Sequence, residues 1–160
     1  MRTLLFLTLS FAFIHFTGCG GDSGRPADMP PIYPVRITIT QNGAALADAS
    51  VTLTAKTPAM YGVASGMTNA SGTAMIRTYG FEGVPEGAYT VTVSKQAVEG
   101  AVKAGDNEGN EYETGGKVYE YVDTQYAKTD TSTLSIEVTT KGAAETFDVG
   151  TPVHVFLHDN

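Results

Sequence analysis

The chain has 160 residues, a net charge of −7, one cysteine and no tryptophan. The acidic balance argues against nucleic acid as a partner, because its recognition depends on neutralising phosphates with Lys and Arg. One cysteine excludes an internal disulfide, and the length predicts a single domain whose core is large enough to fold without one.

Residues 1–18 have the order of a secretory signal peptide. Arg2 gives a positive start, and a largely apolar run follows from Leu4 to Phe16 before two small residues. This order matches a segment that is removed after export. The apolar run is shorter than the roughly 20 residues that a transmembrane helix requires. We therefore expect an exported chain.

The cysteine, Cys19, follows directly in the sequence "FTGC". This stretch resembles the lipobox of bacterial lipoproteins. The resemblance implies that the chain is cut before Cys19, that Cys19 is acylated, and that the acyl groups anchor the protein to a lipid bilayer. Gly20 in the next position implies the outer membrane. The alternative is an ordinary signal peptide followed by a free thiol.

Residues 19–34 are rich in Gly and Pro and contain few apolar side chains. Such a composition buries too little surface to fold, and proline stiffens it. The segment is therefore interpreted as a tether between the lipid anchor and a domain that spans residues 35–160.

From residue 35 onward, apolar and polar side chains alternate in short runs. Turn signals such as Asn42-Gly43 and Gly72 separate these runs. The predicted inward positions are Val35, Ile37, Ile39, Val51, Leu53, Tyr89, Val91, Val93, Leu134, Ile136, Val138, Val153, Val155 and Leu157. The pattern predicts an all-β fold, an antiparallel β-sandwich of about seven strands.

Residues 96–131 interrupt the strand series with a long polar insertion, in which only residues 118–122 have the pattern of a strand. Loops longer than about 15 residues are uncommon in compact domains unless they are functional or disordered. The insertion is therefore the first candidate for partner recognition. Its candidate binding residues are Tyr112, Tyr119 and Tyr121, since tyrosine combines apolar area with a polar tip. Alternatively, these tyrosines cover the edge of the sandwich.

The insertion also contains an acidic stretch, "DNEGNEYE", with oxygen-bearing side chains at roughly alternate positions. Calcium prefers such ligands, which makes Asp106, Glu108 and Glu111 weak calcium candidates. The alternative is a solvated acidic loop. His154 and His158 lie four residues apart on a strand, about 13 Å, which is too far to share one ion. No cofactor is expected.

The run "GMTNASGTAMIRTYGFEGVPEGAYTVTVSK" resembles the carboxypeptidase regulatory-like group of transthyretin-like (prealbumin-like) domains. The matching positions are Thr68, Asn69, Gly72, Gly87, Tyr89, Val91 and Val93. The resemblance covers residues 35–149. It implies a transthyretin-like sandwich that is usually non-catalytic. Downstream, "QYAKTDTSTLSIEVTTKGAAETFDV" resembles a block common in small bacterial lipoproteins of this kind, in which an aromatic-acidic strand follows.

Together, these patterns predict a lipid-anchored, non-catalytic binding or structural module of the cell envelope, with a protein or glycan partner. Two alternatives stay open. One is a small hydrolase or metal-dependent enzyme that uses residues 96–131, and the other is a passive spacer in a surface assembly. Fold alone does not decide among them.

Overall fold

The computed structural model describes residues 24–105 and 111–159, so the candidate residues Cys19, Asp106 and Glu108 lie outside the described residues. The described part contains seventeen β-strands and one short 3-10 helix, Thr124–Tyr126, and none of it is α-helical. The strands are β1 (Ile32–Tyr33), β2 (Val35–Gln41), β3 (Ala44–Ala45), β4 (Ser50–Ala55), β5 (Val63–Met67), β6 (Thr73–Met75), β7 (Arg77–Thr78), β8 (Phe81–Glu82), β9 (Val84–Pro85), β10 (Gly87–Ser94), β11 (Gln96–Glu99), β12 (Val102–Gly105), β13 (Glu111–Thr114), β14 (Lys117–Glu120), β15 (Ser135–Val138), β16 (Ala143–Asp148) and β17 (Val155–Asp159).

Two sheets enclose the core of a β-sandwich, as the alternation predicts. One sheet has the order β15-β10-β4-β5-β7-β8, and the other contains β16, β2 and β3, with β6 also paired to β2. Apolar side chains of both sheets form one buried cluster, in which Ile37, Leu53 and Val91 have no exposed surface. Burying each such side chain contributes about 1.5–3 kcal/mol. The all-β fold is therefore confirmed.

Two local features, a hairpin turn and a buried tyrosine, are explained by the residues that form them. Asn42 and Gly43 both adopt positive φ, 51° and 78°, and connect β2 to β3 as a tight hairpin. Tyr89 buries its ring in the core, while its hydroxyl donates to the Pro85 carbonyl oxygen at 2.9 Å. This bond satisfies the polar end of an otherwise apolar side chain.

One strand pair departs from the antiparallel prediction, because β16 runs parallel to β2 from Ala143↔Val35 to Asp148↔Thr40. The turn that ends at Gly142 passes the chain from β15 in one sheet to β16 in the other, so no hairpin reverses it within one sheet. Gly142 has φ 81°, and a Cβ there would lie 2.1 Å from the Pro34 carbonyl oxygen. Only glycine fits this close approach.

Part of the segment before residue 35 packs against the sandwich. Met29 is buried, and β1 pairs with β9 through Ile32↔Pro85 and Tyr33↔Val84. The prolines around Ile32 lack backbone N–H donors, but the two-residue pairing of β1 with β9 requires few backbone hydrogen bonds. The last residues of the predicted tether therefore belong to the folded domain.

The described residues of the predicted insertion at 96–131 form several strands. They contain β11, the hairpin of β12 and β13, and β14, which begins at Lys117 rather than at residue 118. β14 lies between β11 and β17 in a separate three-stranded sheet. These strands have polar residues on exposed faces, so their backbone ladders leave little trace in the hydrophobic pattern.

The C-terminal strand is found by its alternation, but its predicted inward face is wrong. Val155 is 40% exposed and Leu157 is 37% exposed, and Val153 is only half-buried. β17 pairs with β14 instead of joining either sheet of the core. Within the described residues, no helix has the length and apolarity needed to cross a membrane.

Candidate functional site: an aromatic face on the three-stranded sheet

Strand β14 separates a buried face from an outward face by strict alternation. Val118 and Glu120 on β14 and Val122 just after it are buried, whereas Lys117 is exposed and Tyr119 and Tyr121 are half-buried. Successive strand residues point to opposite faces. Tyr119 and Tyr121, two of the predicted binding residues, therefore lie on one side of the sheet.

The outward side carries a cluster of four rings, which we call the aromatic face: Tyr119, Tyr121, His154 and Phe156. Tyr119 stacks on His154 with ring centroids 4.0 Å apart and an interplanar angle of 12°. Phe156 meets Tyr119 edge to face at 5.9 Å, and Tyr121 lies 5.4 Å from His154. Phe156 is 50% exposed. The cluster thus presents ordered apolar surface to solvent.

A carboxylate at the margin of the aromatic face fixes two of its rings. The Tyr121 hydroxyl donates to Glu99 Oε1, and His154 Nε2 lies 3.2 Å from the same oxygen. The hydrogen bond from Tyr121, supported by His154, lowers the pKa of Glu99, and the same hydrogen bond raises the pKa of Tyr121. Glu99 and His154 are each about half exposed, so they can also contact a partner.

Buried Glu120 joins this sheet to the sandwich. Its carboxylate accepts hydrogen bonds from Ser94 Oγ at 2.6 Å, from the Lys95 backbone N–H at 2.7 Å and from the Val122 backbone N–H at 3.1 Å. Gln96 Nε2 lies 3.4 Å away. A buried carboxylate is tolerated where its lone pairs are used in this way. Glu120 therefore connects the C-terminal end of β14 to the C-terminal end of β10.

The structure brings together only part of the predicted site. Tyr112 lies on β13, which pairs with β12 through Ala104↔Tyr112 and is not part of the three-stranded sheet. The 3-10 helix places Tyr126 against the core. Sequence reasoning did not identify Phe156, and it considered His154 only as a metal ligand. The signal that could have found both is their spacing of two residues at the start of the last strand, together with the Tyr-x-Tyr spacing of Tyr119 and Tyr121.

The calcium prediction stays a prediction, because most of its residues lie outside the described part of the chain. Glu111 is exposed at the start of β13, and its proposed companions Asp106 and Glu108 lie outside the described residues. Among residues 24–105 and 111–159, no group of three His, Cys, Asp or Glu side chains is arranged to hold a metal ion.

Comparison with known proteins assigns no family. No protein-family model matches the chain, and no curated protein matches it. Among solved structures, the chain is similar to the crystal structure of BcpA*(D312A), the major pilin subunit of Bacillus cereus. Identity is 12%, the TM-score is 0.41, and the match covers 75% of this chain and 30% of the pilin chain. This chain thus spans about a third of that subunit, and similarity of this extent assigns it neither function nor family.

Proposed function

We propose that the protein is an exported, lipid-anchored, non-catalytic module of the cell envelope that binds a partner protein through the aromatic face. The observation that carries this proposal is the stacked and half-exposed cluster around Tyr119, His154 and Phe156. Tyrosine and other aromatic side chains concentrate binding energy at interfaces, because they bury a large area with little loss of conformational freedom.

The strands beside the aromatic face favour a protein partner. Within the described residues, β11 and β17 form the two edges of the sheet, and neither pairs with a second strand. On β17, Phe156 and Leu157 expose apolar surface next to the open backbone edge. A partner strand could satisfy that edge and cover these side chains at the same time, which is the geometry of β-strand addition.

A glycan partner is less well supported by the arrangement of the rings. Tyr119 and His154 each use one ring face for their mutual stack, and Phe156 meets Tyr119 at 65°. The cluster therefore presents edges as well as faces, rather than a single flat platform. We therefore propose a protein partner, and the experiment must distinguish protein binding from glycan binding.

The envelope location rests on the sequence around Cys19. The signal-like segment, the lipobox-like "FTGC" and the glycine that follows support acylation at Cys19 and an outer-membrane location. Intact-mass measurement of protein extracted from membranes should show a diacylglyceryl and an acyl group on a chain that begins at Cys19. A Cys19→Ser variant should lose both groups. Unmodified Cys19 in the membrane fraction would remove the anchoring half of the proposal.

The binding half is tested with the full chain, extracted in mild detergent and incubated with native envelope extract. Photo-crosslinking from position 121 or 157 should connect one protein to the three-stranded sheet. Phe156→Ala should abolish that product, because it removes a half-exposed ring of the cluster. Met67→Ala is the matched control, since it truncates a side chain that is 67% exposed on β5 of another sheet.

Three results would contradict a protein partner at this face. Equal crosslinking by the Phe156→Ala and Met67→Ala variants would place the contact elsewhere. If the chain sedimented with purified envelope glycan and the Phe156→Ala variant did not, the partner would be a glycan and not a protein. Crosslinks to other copies of the same chain alone would favour the spacer alternative. Stoichiometric metal retained after dialysis would instead raise the enzyme alternative.

A further inference from the structure

A concave surface lies on a part of the molecule separate from the aromatic face. The segment before β2, the loop between β4 and β5, and the start of β10 enclose an open groove of about 580 Å³. Ring-bearing side chains form part of its lining: Pro30, Pro31, Tyr33 and Tyr61, with the buried Pro85 and Tyr89 at its floor. Its volume is within the range of ligand sites in proteins, roughly 300–1,000 Å³. None of its lining residues belongs to the three-stranded sheet.

The walls of the groove are held in place by specific contacts. Tyr61 donates its hydroxyl to Asp28 Oδ1 at 2.8 Å, which ties the loop between β4 and β5 to the N-terminal segment. The ring of Tyr61 also meets Tyr79 edge to face at 5.5 Å. On the floor, the bond from the Tyr89 hydroxyl to the Pro85 carbonyl oxygen fixes the Tyr89 ring. The groove is therefore built by side chains from three separate segments.

The charge of the lining has one sign. Asp28 and Glu86 are the carboxylates of the groove, and Lys, Arg and His are absent from its described lining. The neighbouring Arg25 guanidinium donates to the Pro30 carbonyl oxygen but does not line the groove. The whole chain adds to this field with its net charge of −7. Such a lining attracts cationic ligands and repels anionic ones.

We infer that this groove binds a basic, proline-rich peptide segment in the polyproline II conformation. Prolyl rings of such a segment pack flat between tyrosine and proline side chains, and the conformation is already ordered before it binds. A Lys or Arg of the segment would lie near Asp28 and Glu86, where the neighbouring tyrosine rings also favour a cation. This site is independent of the proposed function of the aromatic face.

The test titrates the full chain, in mild detergent, with a synthetic peptide of repeated Pro-Pro-Arg triplets. Tyrosine fluorescence and calorimetry follow binding, and the absence of tryptophan leaves the tyrosine signal unobscured. Peptides of Pro-Pro-Glu and Gly-Gly-Arg triplets separate the contributions of charge and ring packing. We expect binding of the first peptide, and no comparable binding of the other two. Failure of the Pro-Pro-Arg peptide to bind, or equal binding of all three, would overturn the inference.

Two charge-reversal variants locate the site. Glu86→Lys places a cation in the groove and should weaken binding of the Pro-Pro-Arg peptide about tenfold. Glu145→Lys changes the net charge equally on exposed β16, away from the lining, and should leave binding nearly unchanged. Equal effects of the two variants would show only general electrostatic attraction and would refute the site. Tetramethylammonium that competes fully with the peptide would show an amine site instead, and would also refute a peptide groove.

Discussion

The sandwich core and the three-stranded sheet are both built from alternating strands, but different forces hold them. In the core, inward positions of β2, β4 and β10 are aliphatic or aromatic and fully buried. In the three-stranded sheet, the inward side of β14 carries the carboxylate of Glu120, and the outward side carries the aromatic face. Apolar burial therefore stabilises the first region, whereas in the second region hydrogen bonds to a buried carboxylate add to the burial of Val118.

This difference teaches that a regular strand pattern does not by itself identify a core strand. The β17 segment alternates as clearly as β10, yet its apolar side chains remain substantially exposed. The binding surface that we propose there would keep apolar groups in contact with water until a partner arrives, at a cost in stability. The core supplies the stability that the exposed sheet lacks.

The largest expected effect comes from a change in the core. Leu53→Ala on β4 removes a side chain with no exposed surface, and should lower the free energy of unfolding by about 2–5 kcal/mol because a cavity remains. Urea denaturation measures this change. Met67→Ala on neighbouring β5 is the control and should have little effect, because that side chain is 67% exposed. Similar losses in both variants would contradict the division between a packed inner face and a solvated outer face.

A second change separates the two regions directly. Glu120→Ala leaves the Lys95 and Val122 backbone N–H groups without their carboxylate acceptor, which should cost about 2–3 kcal/mol. Amide hydrogen exchange should accelerate in β11 and β14, while β2 and β4 keep their protection. Glu120→Gln retains an acceptor oxygen and should have a smaller effect. Uniform loss of protection across all these strands would show that the sheet and the core unfold as one unit.

Sequence patterns predicted the core well because burial on one face imposes alternation. The inward positions of β2, β4, β10 and β15 were predicted from this rule, and all but the half-buried Leu134 are buried. The rule fails where the partner of a strand is decided by distant chain segments. The parallel β16–β2 pair and the position of β17 beside β14 depend on such long-range choices.

The candidate site was predicted less completely, for a related physical reason. Tyr119 and Tyr121 could be placed on one face, because they lie two residues apart on one strand. His154 and Phe156 reach them only through pairing of β14 with β17. The burial of Glu120 could not be predicted from the sequence. Its carboxylate depends on donors from Ser94, Lys95 and Val122, which only the fold brings together.

A smaller, pH-dependent effect should appear where β16 meets the β2–β3 hairpin. Asp148 accepts from Thr40 Oγ1 and from the Gly43 and Gly150 backbone N–H groups, each at 2.8 Å. These bonds, led by that from Gly43, lower its pKa in the folded state. Its stabilisation is therefore present above the unfolded pKa of about 3.9 and is lost as pH falls through the lower, folded pKa.

Asp148→Asn tests this contribution through the thermal midpoint as a function of pH. The midpoint of the variant should lie below that of the natural chain at neutral pH, and the two should converge as pH falls through the lowered pKa of Asp148. Glu145→Gln on the same strand is the control, because its side chain is exposed. A constant difference between Asp148→Asn and the natural chain across the acid range would exclude this linkage.

The smallest effect concerns the aromatic face itself. Tyr121→Phe removes the hydroxyl that donates to Glu99, so the pKa of Glu99 should rise toward its ordinary value, with His154 still holding it somewhat lower. NMR titration of the Glu99 carboxyl carbon measures this shift. Tyr119→Phe is the matched control, because Tyr119 contacts the cluster through its ring. Both variants should unfold at the same denaturant concentration as the natural chain, since the Glu99 contacts are exposed to solvent. The unfolding midpoint could instead fall in Tyr121→Phe as far as in Glu120→Ala. That result would mean that the exposed Glu99 contacts stabilise the sheet as much as the buried Glu120 carboxylate does. It would contradict the separation of the two faces of β14 into a buried stabilising face and an exposed aromatic face.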